Sequence, residues 1–271
     1  MSTSLAVLDT YIPRSSPVHR VDARVKLVVV ILYIVVLTSL PVEAHFTWPL
    51  VFWGLIVIAI GMAHLPMWTI LKRSAVALPF ALAALALVFT TPGQPWLGVS
   101  LGPVSLSITD AGVYRFMTVL VKSWLGVQAA LLLSASTPFV DLLCGLRRLG
   151  VPPLLVSMTS FMYRYLFVLV DEVRRMMCAR DARSARPDGR VGGSVAWRAK
   201  VTGQMAGSLF LRSYERSERI YMAMLARGFD GELRPPRRSA PQRNDVLFAG
   251  ASLIVLAFVL LWYTVLPSRL F

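Results

Sequence analysis

Charge is scarce in this chain. Only 15% of its 271 residues are Asp, Glu, Lys or Arg, against roughly 25% in an ordinary soluble domain. That deficit, with 56% hydrophobic residues, excludes a typical soluble domain and places the chain among membrane proteins. Cysteine is nearly absent. Cys144 and Cys178 are too few for a disulfide framework, and reduced thiols are expected. Residues 1–16 contain no apolar core, so no cleavable signal peptide is expected. No phosphate-binding glycine loop ends in Gly-Lys-Ser/Thr. The three histidines, His19, His45 and His64, are scattered, without a second ligand at metal-binding spacing, and read as interfacial or surface residues. Neither a catalytic constellation nor a metal site is visible.

Acidic residues are the scarcer charged class: 14 Asp and Glu against 28 Lys and Arg, a formal net charge of +14. In a soluble protein such an excess raises nucleic acid as a partner. In a chain this apolar it points instead to an anionic membrane surface or an acidic partner.

A membrane span needs about 20 mostly apolar residues. Four runs fit: 27–42, 49–64, 75–91 and 246–266. A fifth, 113–134, carries Arg115 near one end and Lys122 inside. A sixth, 151–170, begins Pro152-Pro153 and contains Arg164; it reads as a helix lying at the interface and then leaving it. Lys and Arg are missing from the loops 41–48 and 92–112. They occur in the N-terminal arm (Arg14, Arg20, Arg24, Lys26) and at Lys72 and Arg73. By the positive-inside rule the N-terminus is cytoplasmic. Residues 136–244 hold 19 of the 28 basic residues against 9 acidic ones, so that block is expected on the same side, leaving Arg269 outside as an exception. The loop 92–112, with Pro92-Gly93, Gly98 and Gly102-Pro103, is expected to be a short ordered extracellular loop, with a plain connector as the alternative. Lys122 is either a functional intramembrane group or a lysine that snorkels or pairs with a neighbouring span.

The expected fold is an all-α integral membrane protein. Residues 1–135 hold the arm and four transmembrane helices. Residues 136–244 hold long amphipathic cytoplasmic helices, and 245–271 a fifth span. In the middle block a short helix over 138–149 carries Phe139, Leu142, Leu143 and Leu146 on one face. Arg147 and Arg148 close it, where cations suit the helix dipole. A long helix over 154–186 starts apolar, with Met158, Phe161, Met162, Tyr165 and Leu169 at helical spacing. It then turns polar from Asp171 and Glu172, and Pro187-Asp188-Gly189 ends it. A third helix, 197–227, repeats Phe210, Tyr214, Ser217, Tyr221 and Met224 on one face and sets Arg212, Glu215, Arg216 and Arg219 on another. Glu215 and Arg219 stand at i,i+4, worth about 0.2–0.5 kcal/mol when paired. Gly203 and Gly207 form a small-x-x-x-small pair that permits close helix crossing.

Both long helices end alike, in Ala182-Arg183-Ser184 and Ala226-Arg227-Gly228. A small alanine lets a helix tip approach a surface, and the next arginine can reach a carboxylate or carbonyls with a forked contact. A following glycine lets the chain turn away. Two matching tips favour docking knobs over solvated helix-end cations. Apart from Arg115 and Lys122 the spans offer few polar groups, which disfavours a self-sufficient channel or carrier.

These residues resemble the T component, the transmembrane coupling subunit, of energy-coupling-factor transporters, and its cobalt-type, CbiQ-like branch in particular. Asp22-Ala23-Arg24-Val25-Lys26 looks like the family's Asp-Pro-Arg-x-Lys start, with Ala23 for proline. Glu172 through Ala179-Arg180-Asp181-Ala182-Arg183-Ser184 is similar to the first Ala-Arg-Gly box, with Ser184 for glycine. Ser213 through Gly231 matches the second box, including Arg216, Ala223-Met224 and Ala226-Arg227-Gly228. Tyr163-Arg164-Tyr165 and the stretch 207–213 look like the cobalt-type versions. The resemblance implies a non-catalytic subunit in the inner membrane. ATP and Mg would belong to two partner ATPase subunits, each seating Arg183 or Arg227 in a groove. A separate substrate-binding membrane subunit and membrane lipid complete the implied partners, without nucleic acid. Cobalt is implied as cargo, with nickel, biotin or another vitamin as alternatives.

Overall fold

The computed structural model describes residues 11–40, 48–77, 79, 83–92, 95–101, 104–184, 194–231 and 243–265. In chain order its helices are α1 (Pro17–Arg20), α2 (Ala23–Ser39), α3 (Trp48–Met62), α4 (Met67–Arg73) and, after a 3-10 turn at Ser74–Ala77, α5 (Ala86–Thr90). An antiparallel hairpin of β1 (Pro95–Leu101) and β2 (Val104–Thr109) leads into α6 (Asp110–Ser136) and α7 (Phe139–Arg148). Then come α8 (Pro153–Ser184), α9 (Val195–Ala226) and α10 (Arg243–Val265). The chain forms two compact units, residues 1–149 with 237–271, and residues 150–236.

The architecture is the all-α membrane protein expected. Among the described residues, three helices are long and apolar enough to cross a membrane: α6, α8 and, within α10, Asp245–Trp262. Helix α8, which the Pro152-Pro153 start and Arg164 had marked as interfacial, therefore has the length and hydropathy of a span. Helix α3 is a shorter apolar helix. The expected span 75–91 is described only in part, as the 3-10 turn and α5. Within the loop 92–112, β1 and β2 pair as a hairpin, with Leu101 opposite Val104. His45, Pro187-Asp188-Gly189 and Arg269 lie outside the described residues.

Helical periodicity builds the first unit's core. Trp48, Phe52, Ile56 and Ile60 recur every fourth residue on α3 and are all buried. They meet Tyr33, Val36 and Leu37 of α2 and Leu125, Ala129 and Leu132 of α6 in one cluster. Tyr33 donates its hydroxyl to the carbonyl of Phe52 (3.2 Å) and stands edge-on to the Phe52 ring, 5.3 Å between centroids. Such packing and hydrogen bonding carry helix association where lipid removes the hydrophobic drive. At Gly112 an added Cβ would come within 2.6 Å of the carbonyl oxygen of Val88, so only glycine fits where α6 begins beside α5.

Lys122 is a structural cap. Its Nζ donates to the carbonyls of Leu40 (2.7 Å) and Thr38 (3.2 Å), satisfying acceptors at the C-terminus of α2. The indole of Trp48 lies 5.8 Å from the same ammonium. Of its open readings, pairing with a neighbouring helix is the one realised. His19 sits in the arm: Nε2–H donates to the carbonyl of Ile12 (3.2 Å), which leaves Nδ1 to accept from the Ser16 hydroxyl (2.7 Å). Burial, foremost, holds this imidazole below its ordinary pKa.

Candidate functional site

The sequence nominates two groups of residues, and the structure places them differently. The N-terminal group, Asp22, Arg24 and Lys26, sits inside the first unit. Asp22 caps α2, its Oδ1 accepting from the backbone N–H of Arg24 (3.1 Å). Its other oxygen faces Arg24 and Arg148, each at 3.7 Å, and its backbone N–H donates to Asp245 at the start of α10 (3.1 Å). Lys26 is only 5% exposed, and its Nζ donates to the carbonyl of Ser136 and the hydroxyl of Thr137, both at 3.1 Å. Helix α7 comes so close that a Cβ at Gly145 would lie 3.3 Å from the Arg24 nitrogen. The motif thus joins α2, α6, α7 and α10 at one node. Its contacts hold the first unit together. Asp245 belongs to that node and carries no local signal in the sequence, since its partner is a backbone N–H far away in the chain.

The second group lies on α8 and α9, within the second unit. Helix α8 is apolar over 153–170 apart from Arg164 and polar beyond. Glu172 marks the change: it binds Arg175 on its own helix (2.7 Å) and Arg212 on α9 (3.1 Å). The helices run antiparallel. Glu172 meets Arg212, while the Ser184 end of α8 and Trp197 near the start of α9 line the same cleft. The two Ala-Arg tips therefore point away from each other. At about 1.5 Å per helical residue, Arg183 lies roughly 16 Å beyond Glu172, and Arg227 roughly 22 Å beyond Arg212 in the opposite sense.

Both tips are available. Ala182, Arg183, Ala226, Arg227 and Gly228 are exposed. In the second, Arg227 is the C-cap and Gly228 has φ +78°, the left-handed conformation glycine adopts freely. Phe229 N–H donates to the Met224 carbonyl (3.0 Å) and Gly228 N–H to that of Leu225 (2.9 Å), which is the Schellman closure. In the first tip Ser184 ends α8 and donates its hydroxyl back to the Arg180 carbonyl (2.8 Å), so the serine that replaces glycine satisfies one of the orphan acceptors. Arg180 grips Asp181 through Nε and a terminal nitrogen (2.9 and 2.7 Å).

The supporting residues divide. Glu172 and Arg212 are brought together; Glu215, Arg216 and Arg219 are not. Glu215 and Arg219 are exposed and form no ion pair with each other despite their i,i+4 spacing, as suits a contact whose gain barely exceeds the entropy of holding two long side chains. A Cβ at Gly203 or Gly207 meets nothing within 4 Å, so that pair makes no close crossing in this chain. Large apolar side chains stay exposed on both helices: Met158 and Met162 on α8, and Phe210, Tyr214 and Met222 on α9, each more than half exposed. Exposed apolar side chains clustered on both helices suit a contact with lipid or protein.

The Glu172 bridge makes a direct prediction. Arg212→Glu sets two carboxylates together and should raise amide exchange along the middle of α9 severalfold. Adding Glu172→Arg should restore protection, as a reversed pair would. Unchanged exchange in the single variant would show that the bridge holds nothing.

The family model described as "Cobalt transport protein", CbiQ, matches residues 14–240. An "Energy-coupling factor transporter transmembrane protein EcfT" of Heliobacterium modesticaldum is 32% identical over 235 residues, covering 83% of this chain and 84% of that one. Another, from Leuconostoc gelidum, is 28% identical over 271 residues, covering 96% of each. The "Cobalt transport protein CbiQ" of Rhodobacter capsulatus is 30% identical over 154 residues, covering 57% of this chain and 61% of its own length.

Proposed function

This chain belongs to the cobalt transport protein (CbiQ) family, and from that premise we propose that it is the coupling subunit of an ATP-driven energy-coupling-factor importer, with cobalt as the cargo. It is a membrane component of such transporters by kinship. The proposal is what it does there: it passes motion from two ATPase subunits to a separate substrate-binding membrane subunit, and catalyses nothing itself. One observation supports this most: two exposed Ala-Arg tips at opposite ends of a pair of helices bridged by Glu172 and Arg212. Tips that point apart suit two separate grooves, one on each ATPase. A guanidinium at each tip suits a carboxylate in the groove, which it can grip with two parallel hydrogen bonds. The exposed apolar side chains of α8 and α9 suit the substrate-binding subunit. In this reading α8, α9 and the N-terminus face the cytoplasm of an inner membrane.

The test is purification of the chain from its native membrane, followed by reconstitution. Two Walker-type ATPase chains and a second apolar subunit should co-purify, and cobalt uptake into vesicles should need all of them and ATP. Uptake by this chain alone, without ATP, would establish a self-sufficient carrier and end the proposal. ATP-driven uptake of nickel or a vitamin instead would correct only the cargo.

A further inference from the structure

The ribbon of β1 and β2 is two-faced. Its register sets Leu97 opposite Ile108, Val99 opposite Leu106 and Leu101 opposite Val104. Between these pairs stand Gly98 with Ser107 and Ser100 with Ser105. Directly opposed residues share a face, and the face alternates with each step along a strand. One face is therefore made of opposed aliphatic pairs and the other of serine and glycine. Charge is missing from both: no Asp, Glu, Lys or Arg occurs between Arg73 and Asp110.

The ribbon is fastened to the end of a membrane-length helix. Strand β2 ends at Thr109, the N-cap of α6. The Thr109 hydroxyl donates to the Thr91 carbonyl (2.8 Å) and accepts from the Gly112 N–H (3.3 Å). Helix α6 is long and apolar enough to cross a membrane, and it starts at the next residue, Asp110. A ribbon of two strands is marginal in water by itself, so its aliphatic face needs a surface to cover it. Strand edges that stay in water are commonly guarded by lysine or other charges, and this ribbon has none. Trp96 stands where the register slips between Pro95 and Leu97, and tryptophan favours the membrane–water interface. Sinking into hydrocarbon is excluded for the opposite reason. Among the described residues the sheet has only these two strands, so each keeps one edge of backbone groups that needs water. Lying flat at the interface meets both demands: the aliphatic face is covered, and the edges and the serine face stay wet.

We infer that the β1–β2 ribbon is an interfacial anchor, lying flat on the bilayer at the start of α6 with its Leu97, Val99, Leu101, Val104, Leu106 and Ile108 face against the acyl chains.

The test puts one nitroxide label at a time on the full chain in phosphatidylcholine nanodiscs, after Cys144→Ser and Cys178→Ser. Collision with oxygen, which concentrates in lipid, is compared with collision with a nickel chelate, which stays in water. Labels at Val99→Cys, Leu101→Cys and Leu106→Cys should favour oxygen. So should Ile254→Cys, a lipid reference that is 71% exposed within the α10 span and that also checks insertion. Labels at Ser100→Cys, Ser105→Cys and Ser107→Cys should favour nickel, with the ratio swinging severalfold between neighbouring residues. Val99→Asp with Leu106→Asp should lift a label at Leu101→Cys into water, while Ser100→Asp with Ser105→Asp, on the other face, should leave it in lipid. A ratio that does not alternate would overturn the inference, as would a Leu101 label that the first aspartate pair does not move. The labels are read again in the chain purified with its partner subunits. Aliphatic positions shielded from both reagents, in either sample, would mean that the face packs on protein, and the membrane assignment would fail. The pattern in the isolated chain needs no ATPase, so its failure leaves the coupling proposal standing.

Discussion

Arg227→Glu should abolish capture of the ATPase pair, or leave a complex that hydrolyses ATP without uptake, while the protein inserts and folds as before. The local structure separates these effects. The turn after α9 is closed by backbone bonds, from Phe229 to Met224 and from Gly228 to Leu225, and by the positive φ of Gly228. None uses the Arg227 side chain, which is exposed. A glutamate there opposes the helix dipole by only about 0.3–1 kcal/mol. In an acidic groove the same change turns a charge-assisted contact into repulsion. Disrupting a buried charge pair at an interface costs roughly 2–5 kcal/mol, or about thirtyfold to several thousandfold in affinity. Arg183→Glu should act in the same direction, and the two together should be worse than either, because the tips stand at opposite ends of the pair and cannot replace one another. Pull-down with the ATPase subunits and ATP-driven uptake read the effect, with far-ultraviolet circular dichroism as the check on folding. Normal capture with normal uptake would sink the coupling role of this tip.

The parts of the molecule set by short stretches of sequence were legible in it. Helices expected at 154–186 and 197–227 are Pro153–Ser184 and Val195–Ala226, because apolar spacing and Gly228 as terminator act within a few residues. The helix expected at 138–149 is Phe139–Arg148 for the same reason. Contacts between distant residues were not legible. Lys26 and Lys122 each seek a carbonyl more than 80 residues away, and every residue has a carbonyl, so no residue type announces the partner. Glu172 reads as part of a box, yet its bridge to Arg212 depends on how two helices lie together. The reverse error is visible at Glu215 and Arg219, where correct spacing produced no contact. At α8 two prolines and an arginine look like interruptions of a helix, but the prolines precede or begin it, where they are tolerated.

Lys26→Met should have the largest effect on stability of any single change at the N-terminal node, and leave the docking tips untouched. The ammonium is buried, and the Ser136 carbonyl and the Thr137 hydroxyl each accept from it at 3.1 Å. One is the carbonyl of Ser136, in the last turn of α6, where the final carbonyls have no partner within the helix. Methionine keeps the length of the stem and removes the donor, so a carbonyl and a hydroxyl lose their partner at a cost of about 1–3 kcal/mol. The cation also sits at the negative end of the α6 dipole, worth up to about 2 kcal/mol when partly buried. Loosening this corner frees α7, which rests against the start of α2 at Gly145. A fall of roughly 5–10 °C in the unfolding midpoint in detergent is expected. Lys26→Arg should fall less, since it keeps the charge and the donors but must fit a wider head into a closed site. The two predictions cross: Arg227→Glu should lose the partner at unchanged midpoint, and Lys26→Met should lose midpoint while the surviving folded protein still captures the ATPase pair. If Lys26→Met instead lost capture at full stability, the N-terminal node would belong to the partner surface.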